Sequence, residues 1–135
     1  MVKGMNHITF AVSNVDRAFR FYSDILGLKP VAKWDQGAYL TADGFWIALN
    51  LDVEIEKARR PDYSHIAFAC NGSDFERIKK MLLEYGCSEW SENTSEGESI
   101  YFKDPDGHKL EIHVGDLESR LNEMKEKPWA EFEFY

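Results

Sequence analysis

The chain has 135 residues, 44% of them hydrophobic, with nine Phe, six Tyr and four Trp, enough for one core but not for two large ones. Its formal charge of −8 and pI near 5.0 argue against a nucleic-acid partner, which would demand clustered Lys and Arg; the stretch Lys57-Ala58-Arg59-Arg60 is too short to change that. With no N-terminal apolar signal core and no run of about 18 apolar residues, a soluble cytoplasmic protein without a membrane partner is expected.

In chain order, Asn6 to Val12 reads as a short strand rich in β-branched and aromatic residues. Ser13 and Asn14 supply cap-type residues, after which Val15, Ala18, Tyr22, Ile25 and Leu26 fall on one helix face and Gly27 ends the helix. Strand-like segments follow at Tyr39–Thr41 and Phe45–Leu51, joined by the turn Thr41-Ala42-Asp43-Gly44. The charged connector 52–61, ending at Pro61, reads as a linker. Ser64 to Cys70 then repeats the first strand, with His65 lying 58 residues after His7. A second capped helix follows (Phe75, Ile78, Leu82, Tyr85, ended by Gly86), then strand-like segments at Ile100–Lys103 and His108–Val114 across Asp104-Pro105-Asp106-Gly107. From Asp116 a short amphipathic helix with Leu117, Leu121 and Met124 leads to an aromatic tail, Trp129 to Tyr135, expected to pack over another surface. The pattern predicts one α+β domain of two tandem βαβββ modules, residues 1–51 and 62–115, with a linker at 52–61 and a C-terminal helix and tail at 116–135.

Side chains two apart on a strand share a face, so His7 points with Thr9, His65 with Ala67, and Glu111 with Lys109 and His113. A pseudo-twofold relation brings the two histidine strands into equivalent places, and matching Gly44 to Gly107 sets Ala48 where Glu111 stands. Two imidazoles and one carboxylate leave a divalent first-row metal open for a substrate, as catalysis requires. A lone strand histidine is ordinarily a hydrogen-bonded residue; two at repeat-equivalent positions shift the reading to ligands. Glu111, between apolar Leu110 and Ile112, would be costly to bury unpaired. His113 is an alternative ligand but is expected to support Glu111 or sit in the core, and His108, beside the turn, is expected to be exposed. Cys70 and Cys87 lack a Cys-x-x-Cys pairing and read as reduced packing residues. The polar stretch Glu92 to Ser99 reads as a solvated loop whose oxygens could hold a cation. Arg120, just after a helix start, would suit a phosphonate or carboxylate if it faces inward and is otherwise a surface residue.

The repeated unit with His7, His65 and Glu111 resembles the vicinal oxygen chelate (glyoxalase-like) superfamily. Gly4 to Thr9, Trp34-Asp35-Gln36-Gly37-Ala38-Tyr39, Asp62 to His65, Ser95 to Ser99, Tyr101 to His108 and His113 to Asp116 resemble, more specifically, the fosfomycin resistance glutathione transferases. That resemblance implies a strand-exchanged homodimer in which His7 of one subunit joins His65 and Glu111 of its partner around Mn²⁺ or another divalent metal. It implies that a thiol, glutathione in particular, opens the epoxide of fosfomycin. By the same resemblance Thr9 sits beside the oxirane, Ser95, Tyr101 and Arg120 bind the phosphonate, and Trp46 and Tyr63 wall the pocket. Trp34 and Gln36 fall at thiol-site positions, and Asn93, Ser95, Glu96, Gly97 and Ser99 at those of a K⁺ loop. A lysine and an arginine of the family are replaced here by Ser91 and Thr94, which removes two attractions for the phosphonate and the thiol's carboxylates. The bacillithiol-using branch carries Cys where Thr9 stands, so Thr9 favours glutathione. Alternatives are a fosfomycin epoxide hydrolase, with Asp35 or Asp43 near the place of its extra carboxylate, a transferase using bacillithiol or cysteine, or a metal-free module that binds a small ligand. A glyoxalase-type isomerase would want a second carboxylate at Ala48.

Overall fold

The backbone alternation of the repeated motif sets the architecture. The computed structural model describes residues 1–135, apart from the side chain of Glu56. Its elements are β1 (His7–Val12), α1 (Val15–Arg20) continued by a π-helical turn (Phe21–Ile25), β2 (Lys29–Trp34), β3 (Gly37–Ala42), β4 (Phe45–Leu51), a 3-10 turn (Val53–Lys57), β5 (Ile66–Ala69), α2 (Gly72–Tyr85), β6 (Glu89–Ser91), β7 (Ser99–Lys103), β8 (Lys109–His113) and α3 (Leu117–Glu126). The expected α+β fold of two βαβββ modules is what forms.

Each module makes one four-stranded sheet, ordered β1-β4-β3-β2 in the first and β5-β8-β7-β6 in the second. β1 runs parallel to β4 with Thr9 opposite Ala48, and β5 parallel to β8 with Ala67 opposite Glu111. The register therefore places Ala48 at the position of Glu111 in the other half. β1 and β5, the strands associated with the two histidines, are both sheet edges.

One face of each sheet is apolar and the other is not. Phe10, Val12, Leu40, Ile47 and Leu49 from the first sheet and Ile100, Phe102, Leu110 and Ile112 from the second join Ala18, Phe21 and Tyr22 of the first helical segment and Phe75 and Leu82 of α2 in a single core. Asn14 caps α1 by accepting from the Arg17 amide at 2.9 Å. Phe21 meets Tyr85 at 5.2 Å and Phe102 at 6.4 Å between ring centroids, so the first helical segment is packed by the second module. Two buried acids lock that junction. Tyr22 donates its hydroxyl to Asp104 at 2.6 Å, and Ser13 donates both its amide and hydroxyl to Asp106. Burial, reinforced by the Asp104 charge, holds the Tyr22 phenol well above its ordinary pKa, and burial raises that of Asp104.

Several expectations are corrected. The missing strand of each module lies at β2 and β6, which carry register shifts at Pro30/Ala32 and Glu89/Ser91. The linker contains a 3-10 turn, capped by Asp52 accepting from the Glu54 amide. His108 is half-buried rather than exposed, because its Nε2 meets the Ala11 carbonyl at 2.7 Å at the end of β1. The aromatic tail packs on itself, Trp129 on Phe132 at 4.7 Å between centroids, while Trp129 remains 75% exposed.

Gly37 explains the tight Trp34-to-Tyr39 corner. A Cβ there would lie 2.4 Å from the Leu49 carbonyl oxygen and 2.9 Å from the Trp34 ring. Gly37→Ala is expected to cost about 1–3 kcal/mol or more by overpacking against backbone, read as a lowered urea midpoint at unchanged m-value.

Candidate metal and substrate site

The face of the second sheet turned away from the core gathers the acid and one histidine. Leu110 and Ile112 anchor β8 in the core, which sends the side chain of Glu111 to the opposite face, where the residue is only 6% exposed. There the His65 Nε2 lies 2.9 Å from Glu111 Oε2, while His65 Nδ1 lies 2.9 Å from the Tyr63 carbonyl. A carbonyl only accepts, so Nδ1 carries a proton and Nε2 turns its lone pair towards the carboxylate. Two lone pairs that close need a positive charge between them, either a proton on Nε2 or a metal cation. This donor set fits a divalent ion: a neutral imidazole whose other nitrogen is held by an acceptor, beside a carboxylate.

The remaining oxygen of Glu111 is held from behind. Ser99 donates its hydroxyl to Oε1 at 2.6 Å, and the same hydroxyl lies 2.7 Å from His113 Nδ1. His113 therefore supports the acid, in the secondary role expected for it. Ser99→Ala is expected to cost about 1–3 kcal/mol by stripping a buried carboxylate oxygen of its donor, measured by chemical denaturation. Around this group stand Tyr101, opposite Glu111 in register and buried, and Tyr63, 66% exposed and edge-on to His65 at 5.1 Å between centroids. Burial raises the Tyr101 phenol above its ordinary pKa.

Trp90 completes this wall and was not singled out from sequence. Its ring meets His65 at 5.1 Å, Tyr101 at 5.2 Å and Tyr63 at 5.6 Å between centroids, and its Nε1 donates to the Leu110 carbonyl. The register shift in β6 hides it from a period-two reading.

The first sheet presents a second, matching face. His7 is exposed and stacked on Trp46 at 4.2 Å between centroids, with its Nδ1 2.7 Å from Asn6 Oδ1, so it too offers Nε2. Thr9 is exposed one pleat along, beside Ala48. Tyr39 stands between Trp46 and Trp34, at 5.1 and 4.9 Å, and Trp34 is 43% exposed. Gln36 is exposed in the turn after Trp34, and its carbonyl accepts from the Leu51 amide. Trp46 Nε1 is buried without a hydrogen-bond partner.

One chain thus carries two separate clusters, one around His7 and one around His65 and Glu111. Among the described residues no three His, Cys, Asp or Glu side chains gather into a metal-binding group, so His7 does not join His65 and Glu111 within the chain. The loop before β7 is held by Asn93, which donates to the Gly97 carbonyl and accepts from Ser95. Gly97 takes a φ of +78°, and a Cβ there would lie 2.2 Å from the Val114 carbonyl oxygen, so the loop approaches β8 too closely for a side chain. Arg120 lies 3.5 Å from Glu96 and is thereby tied to this loop. Cys70 and Cys87 are free and partly buried; burial pushes the Cys87 thiol up to about 11, which keeps it protonated and unreactive near neutral pH.

Comparison with known proteins identifies the family. Residues 4–112 match the Glyoxalase/Bleomycin resistance protein/Dioxygenase superfamily. The chain is 43% identical to the glutathione transferase FosA of Serratia marcescens over 132 residues, covering 96% of this chain and 94% of that one. It is also 43% identical to the metallothiol transferase FosB of Shouchella clausii over 126 residues, covering 90% and 86%. The structure of the fosfomycin resistance protein FosX of Listeria monocytogenes, complexed with Mn(II) and sulfate, superposes with a TM-score of 0.77 at 27% identity, covering 90% of this chain and 98% of that one.

Proposed function

The chain belongs to the fosfomycin-resistance enzymes of the glyoxalase/bleomycin resistance protein/dioxygenase superfamily, and from that premise we propose a metal-dependent thiol transferase that opens the epoxide of fosfomycin, with glutathione as the thiol. The observation that carries it is the buried carboxylate of Glu111 set 2.9 Å from Nε2 of His65 on an aromatic-walled sheet face. The metal ligands in this reading are His65 and Glu111 of one subunit and His7 of a second, in a strand-exchanged homodimer. Two edge strands, each associated with a ligand histidine, support that assembly, because an uncovered edge is a template for pairing. Mn²⁺ held there supplies Lewis-acid stabilisation of the charge that develops on the epoxide oxygen.

The chain's own groups do the rest. Ser95, Tyr101 and Arg120 bind the phosphonate, Thr9 stands beside the oxirane, and Trp46 and Tyr63 exclude water from it. Trp34 and Gln36 orient the thiol. The thiol gives up its proton, a carbon–sulfur bond forms at one ring carbon as the carbon–oxygen bond at that carbon breaks, and the freed oxygen takes up a proton. The loop of Asn93, Ser95, Glu96, Gly97 and Ser99 would hold K⁺, which would supply further positive charge for binding the phosphonate.

The test is phosphorus NMR of fosfomycin with the protein and Mn²⁺, run in parallel with glutathione, bacillithiol, cysteine and no thiol. A metal-dependent adduct forming fastest with glutathione is the expected result. A diol formed without thiol would identify a hydrolase, the activity class raised by Asp35 and Asp43, and preference for bacillithiol would reassign the cosubstrate. An unchanged fosfomycin signal in every arm would refute the enzyme.

A further inference from the structure

The basic stretch at Arg59-Arg60 takes no part in the proposed reaction, yet it resolves into a shaped site. A groove of about 590 Å³ opens between the start of α1, the segment before Pro61 and the β7–β8 turn. Arg17, Arg59, Arg60 and Lys103 line it against one carboxylate, Asp106, in a chain whose overall charge is −8.

That carboxylate cannot neutralise the groove. Its side chain is fully buried, and its Oδ1 already accepts from the Ser13 amide and hydroxyl and from Arg17 Nη2 at 3.3 Å. Arg60 is fixed by donating Nη1 to the Asp106 carbonyl at 2.9 Å, an approach that Gly107 permits, since a Cβ there would lie 3.1 Å from the same nitrogen. Neither Arg59 nor Lys103 has an ion-pair partner among the described residues. Among the residues that line the groove, Arg17 Nε, Arg60 Nη2 and Asp106 Oδ2 are buried atoms without a hydrogen-bond partner among the described residues. Two positioned guanidiniums beside the unpaired cations of Arg59 and Lys103 are the chemistry that holds an oxyanion.

We propose that this groove is a second binding site, for a small doubly charged oxyanion bearing phosphate or carboxylate groups, set against Arg60 and Arg17 and closed over by Arg59 and Lys103. It does not rest on the metal reading.

The test is a nitrogen-edited NMR titration of the full chain at constant ionic strength with inorganic phosphate, malonate or chloride. The Arg17 Nε–H and Gly107 amide report the groove, and the Ser95 and Tyr101 amides report the separate phosphonate face. The expected result is a saturating shift of the groove reporters at roughly millimolar phosphate or malonate, the stronger of the two arms identifying the ligand's acid group. Arg59→Glu with Lys103→Glu should weaken it at least tenfold while the thermal midpoint holds; the milder pair Arg59→Gln with Lys103→Gln repeats the comparison without charge reversal. Shifts that chloride reproduces, that fail to saturate, or that survive both double variants would overturn the site.

Discussion

Glu111→Ala is expected to weaken Mn²⁺ binding by more than about 100-fold and to remove thiol addition to fosfomycin to at least the same extent. Loss of a partner that merely supports a metal ligand costs about 10–100-fold, and Glu111 is the ligand itself in this reading. Among the described residues no other carboxylate is paired with His65. Its removal leaves each site two neutral imidazoles and no carboxylate, too little charge and too few donors to hold a divalent ion tightly against water. Glu111→Gln separates the charge from the shape: the amide oxygen can still accept from Ser99, so the fold should hold while metal affinity falls. Manganese binding followed by electron paramagnetic resonance reads the effect without reference to turnover. Unchanged Mn²⁺ affinity in both variants would remove Glu111 from the site.

What the sequence disclosed follows the range of the forces involved. The outward facing of His7 and Glu111 was legible because strand alternation is local: Phe10 and Val12 on one side of β1, and Leu110 and Ile112 on one side of β8, oblige their neighbours to face the other way. The equivalence of Ala48 and Glu111 was legible because the β3–β4 and β7–β8 turns repeat, and the strand register agrees. β2 was not, because all six of its residues are exposed and a proline interrupts it, leaving no apolar period to detect. Nor was the role of Asp104 and Asp106. As turn residues they promised only a local bend, whereas their partners Tyr22, Ser13 and Arg17 lie 82 to 93 residues earlier, beyond any periodic signal. The same pairing drew His108 inward to the Ala11 carbonyl. Arg59 and Arg60 show the converse: too few to suggest a charged surface, they gain meaning only when the fold brings Arg17 and Lys103 beside them.

Mixing two inactive variants should restore activity, and the amount recovered reads the assembly. His7→Ala lacks the first ligand and Glu111→Ala the third, so each homodimer should be inactive. If each site takes His7 from one subunit and His65 with Glu111 from the other, a mixed dimer contains one doubly damaged site and one intact site. Random pairing of equal amounts makes about half of the dimers mixed, so co-expression should return about a quarter of the unmodified activity per subunit. Sites built within single chains would return none, since every site would carry one lesion whatever its partner. The present geometry favours recovery: His7 does not meet the His65–Glu111 pair within one chain, and each cluster lies on a sheet with an open edge strand. The buried Trp46 Nε1 beside His7 gives a second readout, because pairing should change the indole's surroundings. Its fluorescence, isolated by replacing Trp34, Trp90 and Trp129 with Phe, should shift with protein concentration as dimers form.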